Sequence, residues 1–153
     1  MRNKRKLLVE QLDQKLFPFL ESRKVVVPER GWINTIRTSL NMTMAQLGAK
    51  LNITRQGVKN IEESEAYGRI SLNSLKDVAH AMDLKLVYAL VPQNGTINDL
   101  IQNKAEKLAQ KIVLRTNQNM KLEDQGIGDE KISQTIRELA EEIRREMRKS
   151  LWD

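Results

Sequence analysis

Thr43 to Ser64 reads TMAQLGAKLNITRQGVKNIEES, and its spacing decides the fold. It predicts two short helices with a tight break between them. Thr43 is suited to cap the first helix, because its hydroxyl accepts from the free N–H groups of the next turn. Leu47 and Leu51 then fall one turn apart on one face, with Ala45 and Gly48 small enough for another helix to approach. Leu51-Asn52-Ile53 makes the turn, where Asn52 tolerates left-handed backbone. Thr54 caps the second helix, whose inward face is Val58 and Ile61. Its other face carries Arg55, Gln56, Lys59 and Asn60, side chains that can donate to guanine, adenine and phosphate. An ordinary helical hairpin with a polar wet face is the bland alternative.

The pattern resembles the helix-turn-helix of the phage-repressor class, the Xre family, over roughly residues 32–84. The resemblance implies that a small residue of the first helix, here Gly48 or Ala49, lets the second helix cross closely. It implies that Ile53 plugs the pair and that Arg55, Gln56, Lys59 and Asn60 read bases in the major groove. The loop before the next helix is expected against the DNA backbone, which makes Tyr67, Arg69 and Ser71 phosphate candidates. Thr43, Thr54 and Arg37 are further backbone candidates, and a plain surface arginine is the other reading of Arg37.

Composition narrows the function. The chain has 153 residues, enough for one domain and an appendage, with 40% hydrophobic and 30% charged residues. No apolar run is long enough to span a bilayer. Met1 to Lys6 is basic, but Leu7-Leu-Val-Glu-Gln-Leu-Asp13 supplies no apolar segment for a secretory signal, so a cytoplasmic protein is expected. Without cysteine there is no disulfide, thiolate zinc site or cysteine nucleophile. One histidine, His80, argues against histidine-based metal or triad chemistry and reads as a surface residue. No paired acid–base constellation or glycine-rich phosphate loop appears, so neither a catalytic site, a metal nor a cofactor is expected. The net charge is +6. Residues 1–92 hold 15 Lys+Arg against 9 Asp+Glu, whereas residues 93–153 hold 11 of each. Read along the chain, the part with the helix-turn-helix is the part that attracts a polyanion.

Three segments follow: an N-terminal helix and linker (1–27), a DNA-binding domain (28–92) and a C-terminal helical hairpin (93–153). In the first, Leu8, Leu12, Leu16 and Phe19 recur at helical spacing, widened by Val9 and Leu20, and Pro18 ends or kinks the helix. Arg2, Lys4, Arg5 and Lys6 are either a phosphate-touching arm or a solvated helix start. Val25 to Val27 is a linker or short edge strand. Glu29 to Leu40 is the next expected helix, with Trp32, Ile33, Ile36 and Leu40 inward. The acidic run from Glu62 is expected to turn away from the groove. Ser71 caps a helix whose inward residues are Leu75, Val78, Ala79 and Met82.

Leu84 to Val91, LKLVYALV, is rich in β-formers and predicts a buried strand stopped by Pro92. A lone strand needs partners for its backbone groups, so the expectation is an antiparallel two-stranded sheet with a second copy, through Leu84, Leu86, Val87, Tyr88 and Leu90. Thr96 and Asp99 predict a capping box for a long helix to about residue 119, with Ile97, Leu100, Ile101, Leu108, Ile112 and Met120 along one side. Gly126 and Gly128 mark a loop. Asp129 is placed to cap a last helix bearing Ile132, Ile136, Leu139, Ile143 and Met147.

Taken whole, the sequence resembles the mobile mystery protein A family. Gln11-Leu-Asp13, Gly31-Trp-Ile33 with Ile36-Arg37, Glu62 to Ala66, Ile70-Ser-Leu72, Leu86 to Pro92 and Leu151-Trp-Asp153 carry the likeness. It implies an Xre-type regulator found on mobile elements beside a Fic-domain partner. Many Fic inhibitors share a helix with Ser or Thr four residues before Glu, and no Glu here has that neighbour. The expected fold is mainly α. The expected function is a sequence-specific repressor of its own operator, acting as a homodimer on an inverted repeat in double-stranded DNA. It is also expected to be the antitoxin-like member of a toxin–antitoxin pair with a Fic-domain protein. The alternative is an interaction module that mainly restrains that partner.

Overall fold

A computed structural model of the chain describes residues 2–122 and 128–153, and the side chains of 4–119 and 128–153. Gly126 and the side chains of Arg2 and Met120 lie outside what is described. The chain forms two compact units: Lys24–Ala89, and a second made of Met1–Arg23 with Leu90–Asp153.

The Lys24–Ala89 unit holds four short helices, α2 (Gly31–Ser39), α3 (Met44–Leu51), α4 (Arg55–Ala66) and α5 (Leu72–Ala81). Their starts follow the expected chemistry. The Thr43 hydroxyl accepts from Gln46 N–H, and Gln46 reaches back to Thr43 N–H at 2.8 Å, a reciprocal box. Thr54 accepts from Gly57 N–H and Ser71 from Ser74 N–H. Asn52 closes α3 in the left-handed region at φ 56°. Ile33, Leu47, Val58, Val78 and Met82 form the core, with Ile36, Leu51, Ile61 and Leu75 packed against it. Trp32 and Leu40, expected inward, are exposed. The buried face of α2 turns instead through Gly31, Ile33 and Arg37.

The expected strand does not form. Leu84 N–H donates to Ala79 O at 2.8 Å, after which residues 85–91 carry no regular structure, and no strand occurs among the described residues. Its β-forming composition meets no neighbouring strand among the described residues, so there is no ladder to join there. Exposure does not alternate along it: Val87 and Tyr88 are both exposed, and Leu90 is 91% exposed. Val25 to Val27 is likewise exposed and without regular structure.

The second unit packs α1 (Arg2–Leu16), α6 (Ile97–Leu122) and α7 (Asp129–Glu146) together. Pro18 follows the end of α1, and the chain continues as a 3-10 helix over Phe17–Lys24. Val9 meets the core, while Leu7, Leu8 and Leu12 stay exposed. The buried line of α6 is Ile101, Ala105, Ala109 and Val113, each one turn after the last, and Leu100 and Ile112 lie outside it. Alanines here let α7 come close through Ala140 and Ile143. Thr96 and Asp99 exchange backbone bonds as expected, at 2.9 and 3.1 Å. At α7 the cap is Gly128, with no side-chain bond, and Asp129 is the first helical residue, favourable beside the helix dipole. Two long-range ties close the unit. Asp13 accepts from Ile97 and Asn98 N–H, and Arg23 Nη1 donates to Pro92 O and Gly95 O, both at 2.9 Å.

Candidate nucleic-acid interface

The interface candidates begin with how α4 is held. Gly48 sits where α3 meets the start of α4. A Cβ on Gly48 would lie 2.7 Å from Ile53 O and 3.3 Å from Thr54 O, closer than backbone atoms tolerate. Gly48, rather than Ala49, is therefore the small residue that permits the crossing. Gly48 O in turn accepts from Ile53 N–H at 2.9 Å. Ile53 itself is a rim residue against Gly57, with 37% of its surface exposed.

Two carboxylates one turn apart then fasten α4 to α2. Glu62 is 5% exposed and Arg37 6% exposed. Arg37 Nε and Nη2 donate to the two Glu62 oxygens at 2.5 and 3.2 Å, Arg37 Nη1 donates to Met42 O, and Asn34 Nδ2 donates to Glu62 Oε2. Glu65 accepts from Trp32 N–H at 2.9 Å and Ile33 N–H at 2.8 Å, capping α2 from another helix. Gly31, at φ +85°, leaves room for that carboxylate, since a Cβ there would lie 2.6 Å from Glu65 Oε1. Two members of the acidic run thus serve as anchors. Arg37, expected at a phosphate, is buried with its donors engaged, and it is withdrawn from the interface. A signal for this was present: Ile33–Arg37 and Val58–Glu62 are each one turn apart, so each charged residue continues a buried stripe.

On the solvent side, Arg55, Gln56, Lys59 and Asn60 are all exposed on the first half of α4. Gln56 Nε2 donates to Asn60 Oδ1 at 3.0 Å, which aligns the two amides on one face. The Gln and Asn pair presents donors and acceptors suited to adenine, and Arg55 and Lys59 present donors suited to guanine or phosphate. Thr43 and Thr54 are exposed at the starts of α3 and α4, where their hydroxyls are engaged in capping. Tyr67 ends α4, and the Arg69 guanidinium lies 5.8 Å from the Tyr67 ring centroid. Asn60, Tyr67 and Arg69 line one small hollow with Glu63 and Ser64, which links the exposed face of α4 to the loop beyond it. Ser71 is exposed and caps α5. His80 is exposed.

Elsewhere in this unit, an open apolar hollow of about 290 Å³ is lined by Trp32, Ile36, Leu75, Met82, Leu84 and Leu86, among others. Val87 also lines it, Tyr88 follows in sequence, and both are largely exposed. No cluster of His, Cys, Asp and Glu suited to a metal ion is found among the described residues, and none of their helices is long and apolar enough to cross a membrane.

Residues 33–88 match the family model described as Helix-turn-helix, so this part of the chain is an Xre-type helix-turn-helix domain. A domain of this kind points to a sequence-specific regulator that binds double-stranded DNA. Neither the curated proteins nor the solved structures contain a match to the chain.

Proposed function

We propose that the protein is a transcriptional repressor that reads its own operator with α4. The observation that carries this is the exposed face of Arg55, Gln56, Lys59 and Asn60, on a helix fixed by buried anchors inside the matched helix-turn-helix. In this reading Gln56 and Asn60 address adenine, and Arg55 addresses guanine. Thr43, Thr54, Tyr67, Arg69 and Ser71 contact phosphates. No catalytic step is assigned. Selection of duplexes from a randomised pool by the full chain tests the reading: enrichment of a defined sequence that also occurs at its own promoter supports it, and an unenriched pool refutes it.

The functional form in this reading is a dimer of identical chains. The support is the stretch from Leu84 to Val87, which lines the apolar hollow, together with the exposed side chains of Val87 and of Tyr88 that follows it. One short stretch that offers both a recess and apolar projections can complement itself across a two-fold axis. Two recognition helices would then meet inverted half-sites about 34 Å apart, or a multiple of that. Sedimentation of Val87→Asp beside the parent checks it: the parent is expected to dimerise and the variant to remain monomeric. Equal dimerisation of both would remove the surface.

The antitoxin role beside a Fic-domain protein rests on the family resemblance, with one structural support. The α1–α6–α7 unit has its own core, so it gives the chain a module independent of the reading helix. Co-expression with the neighbouring gene product decides this: co-purification through Met1–Arg23 and Leu90–Asp153 is expected, and two separately eluting proteins would contradict it.

A further inference from the structure

We propose that one basic end of the α1–α6–α7 unit is a second, sequence-independent contact for DNA phosphates that flank the site read by α4; this rests on the reading that Lys24–Ala89 binds DNA. The fold redistributes the charge. Along the chain, all of the net +6 lies in residues 1–92. Grouped by compact unit, Met1–Arg23 with Leu90–Asp153 holds 17 Lys+Arg against 14 Asp+Glu, and Lys24–Ala89 holds 9 against 6. Half of the excess therefore lies outside the helix-turn-helix.

Within that unit the charge is also polarised. α7 begins with Asp129 and Glu130 and carries Arg144 and Arg145 in its last turn, before the terminal Glu146. Lys6 of α1 and Arg144 and Arg145 of α7 line one open hollow of about 690 Å³. Arg5 Nη1 donates to Met147 O at 3.5 Å, so the basic start of α1 meets the basic end of α7. The acids at this end are largely engaged. Glu141 pairs with Arg144, and Glu142 and Glu146 face Arg148. Asp13 is bonded to the first amides of α6, and Glu10, on the wall of the hollow, offsets one charge. Lys4, Lys6 and Arg145 are exposed and make no ion pair with an acid among the described residues. DNA is favoured over an acidic protein because the two units are joined by two chain crossings. Once α4 is seated, a tethered cationic surface meets flanking phosphates at roughly millimolar effective concentration. A free acidic partner gains nothing from the tether.

The test uses the full chain and a sequence it has selected, placed centrally in a duplex of about 40 base pairs, long enough to carry flanking phosphates on both sides. Affinity is measured against NaCl concentration for the parent and for Lys4→Ala/Lys6→Ala/Arg145→Ala. Three lost phosphate contacts would make the log–log salt slope shallower by about 2–3, with at least about tenfold weaker binding near 0.1 M salt. Lys104→Ala/Lys107→Ala/Lys111→Ala removes the same charge from exposed positions on α6 and is expected to leave the slope nearly unchanged. An unchanged slope in the first variant, or an equal fall in the second, overturns the proposal. A parent that selects no sequence is a separate result, which removes the DNA-reading premise along with it.

Discussion

The α4 helix of one unit and the α6–α7 pair of the other are held by different means. In Lys24–Ala89, α4 is keyed to its neighbours by directional contacts: the buried Arg37–Glu62 pair, the Glu65 carboxylate on the first amides of α2, and Gly48 against Ile53 O. In the other unit, α6 and α7 meet mainly through Ile101, Ala105, Ala109, Ala140 and Ile143, contacts that depend on closeness and not on direction. The difference fits the base-reading role proposed for α4. Reading base edges needs side chains placed within a fraction of an ångström, and hydrogen bonds supply that register. The α6–α7 pair needs only a well-filled seam to stay together.

Each unit carries one tryptophan, Trp32 and Trp152, so fluorescence of single-tryptophan variants follows them separately. The largest effect is expected from Glu62→Ala. It strands the buried Arg37 guanidinium, which costs about 3–5 kcal/mol. The Trp32 transition in urea should fall sharply while that of Trp152 holds, and a joint fall would mean the units are not separately stabilised. Ile143→Ala inverts the experiment. It empties a fully buried site in the α6–α7 seam, at about 2–5 kcal/mol. The Trp152 transition should move and that of Trp32 should not.

A smaller effect is expected from Gly48→Ala. The new methyl must displace Ile53 O, at about 1–3 kcal/mol. Because the shift lies where α3 meets α4, DNA affinity should drop more than stability alone requires. Unchanged affinity at reduced stability would show that register is not set there. The smallest effect concerns Glu141. Its hydrogen bond with Arg144 holds the carboxyl below the ordinary glutamate range. A depressed folded value stabilises above the unfolded value and loses that stabilisation as pH falls through the folded one. The stability difference between the parent and Glu141→Gln should therefore be full above the ordinary glutamate range, shrink as pH falls below it, and vanish once pH is below the depressed folded value. Glu141 is solvent-exposed and Arg144 only half-buried, so it should stay under about 0.5 kcal/mol at neutral pH.

The sequence was most legible where structure is local. Thr43, Thr54 and Ser71 cap the helices expected of them, Asn52 makes the expected turn, and the four polar residues of α4 lie on its wet face. Each depends on neighbours within a few residues. The second unit was poorly legible because it joins segments about 70 residues apart. Asp13 meets Ile97 and Arg23 meets Pro92, pairings that no periodicity reveals. Its seam was legible in part: Ile101, Leu108, Ile136, Leu139 and Ile143 pack there as expected, whereas Ala105 and Ala109 are weak hydrophobic signals beside Leu100 and Ile112, which the structure leaves exposed. The same fold places six cations of residues 1–23 with the C-terminal helices, which a charge count along the chain cannot register. At Leu84 to Val91, β-forming composition misled, since composition supplies no ladder partner.

The central claim is that α4 reads base identity through its exposed face. The most direct measurement compares the parent with Gln56→Ala on a selected duplex and on random DNA of equal length, at one salt concentration. Gln56 is exposed, and its side-chain bond within α4 runs to the neighbouring Asn60, so its loss should leave the fold intact. The account predicts a loss of about 1–3 kcal/mol on the selected sequence and nearly unchanged binding to random DNA. Equal losses on both duplexes, or no loss on either, would contradict it.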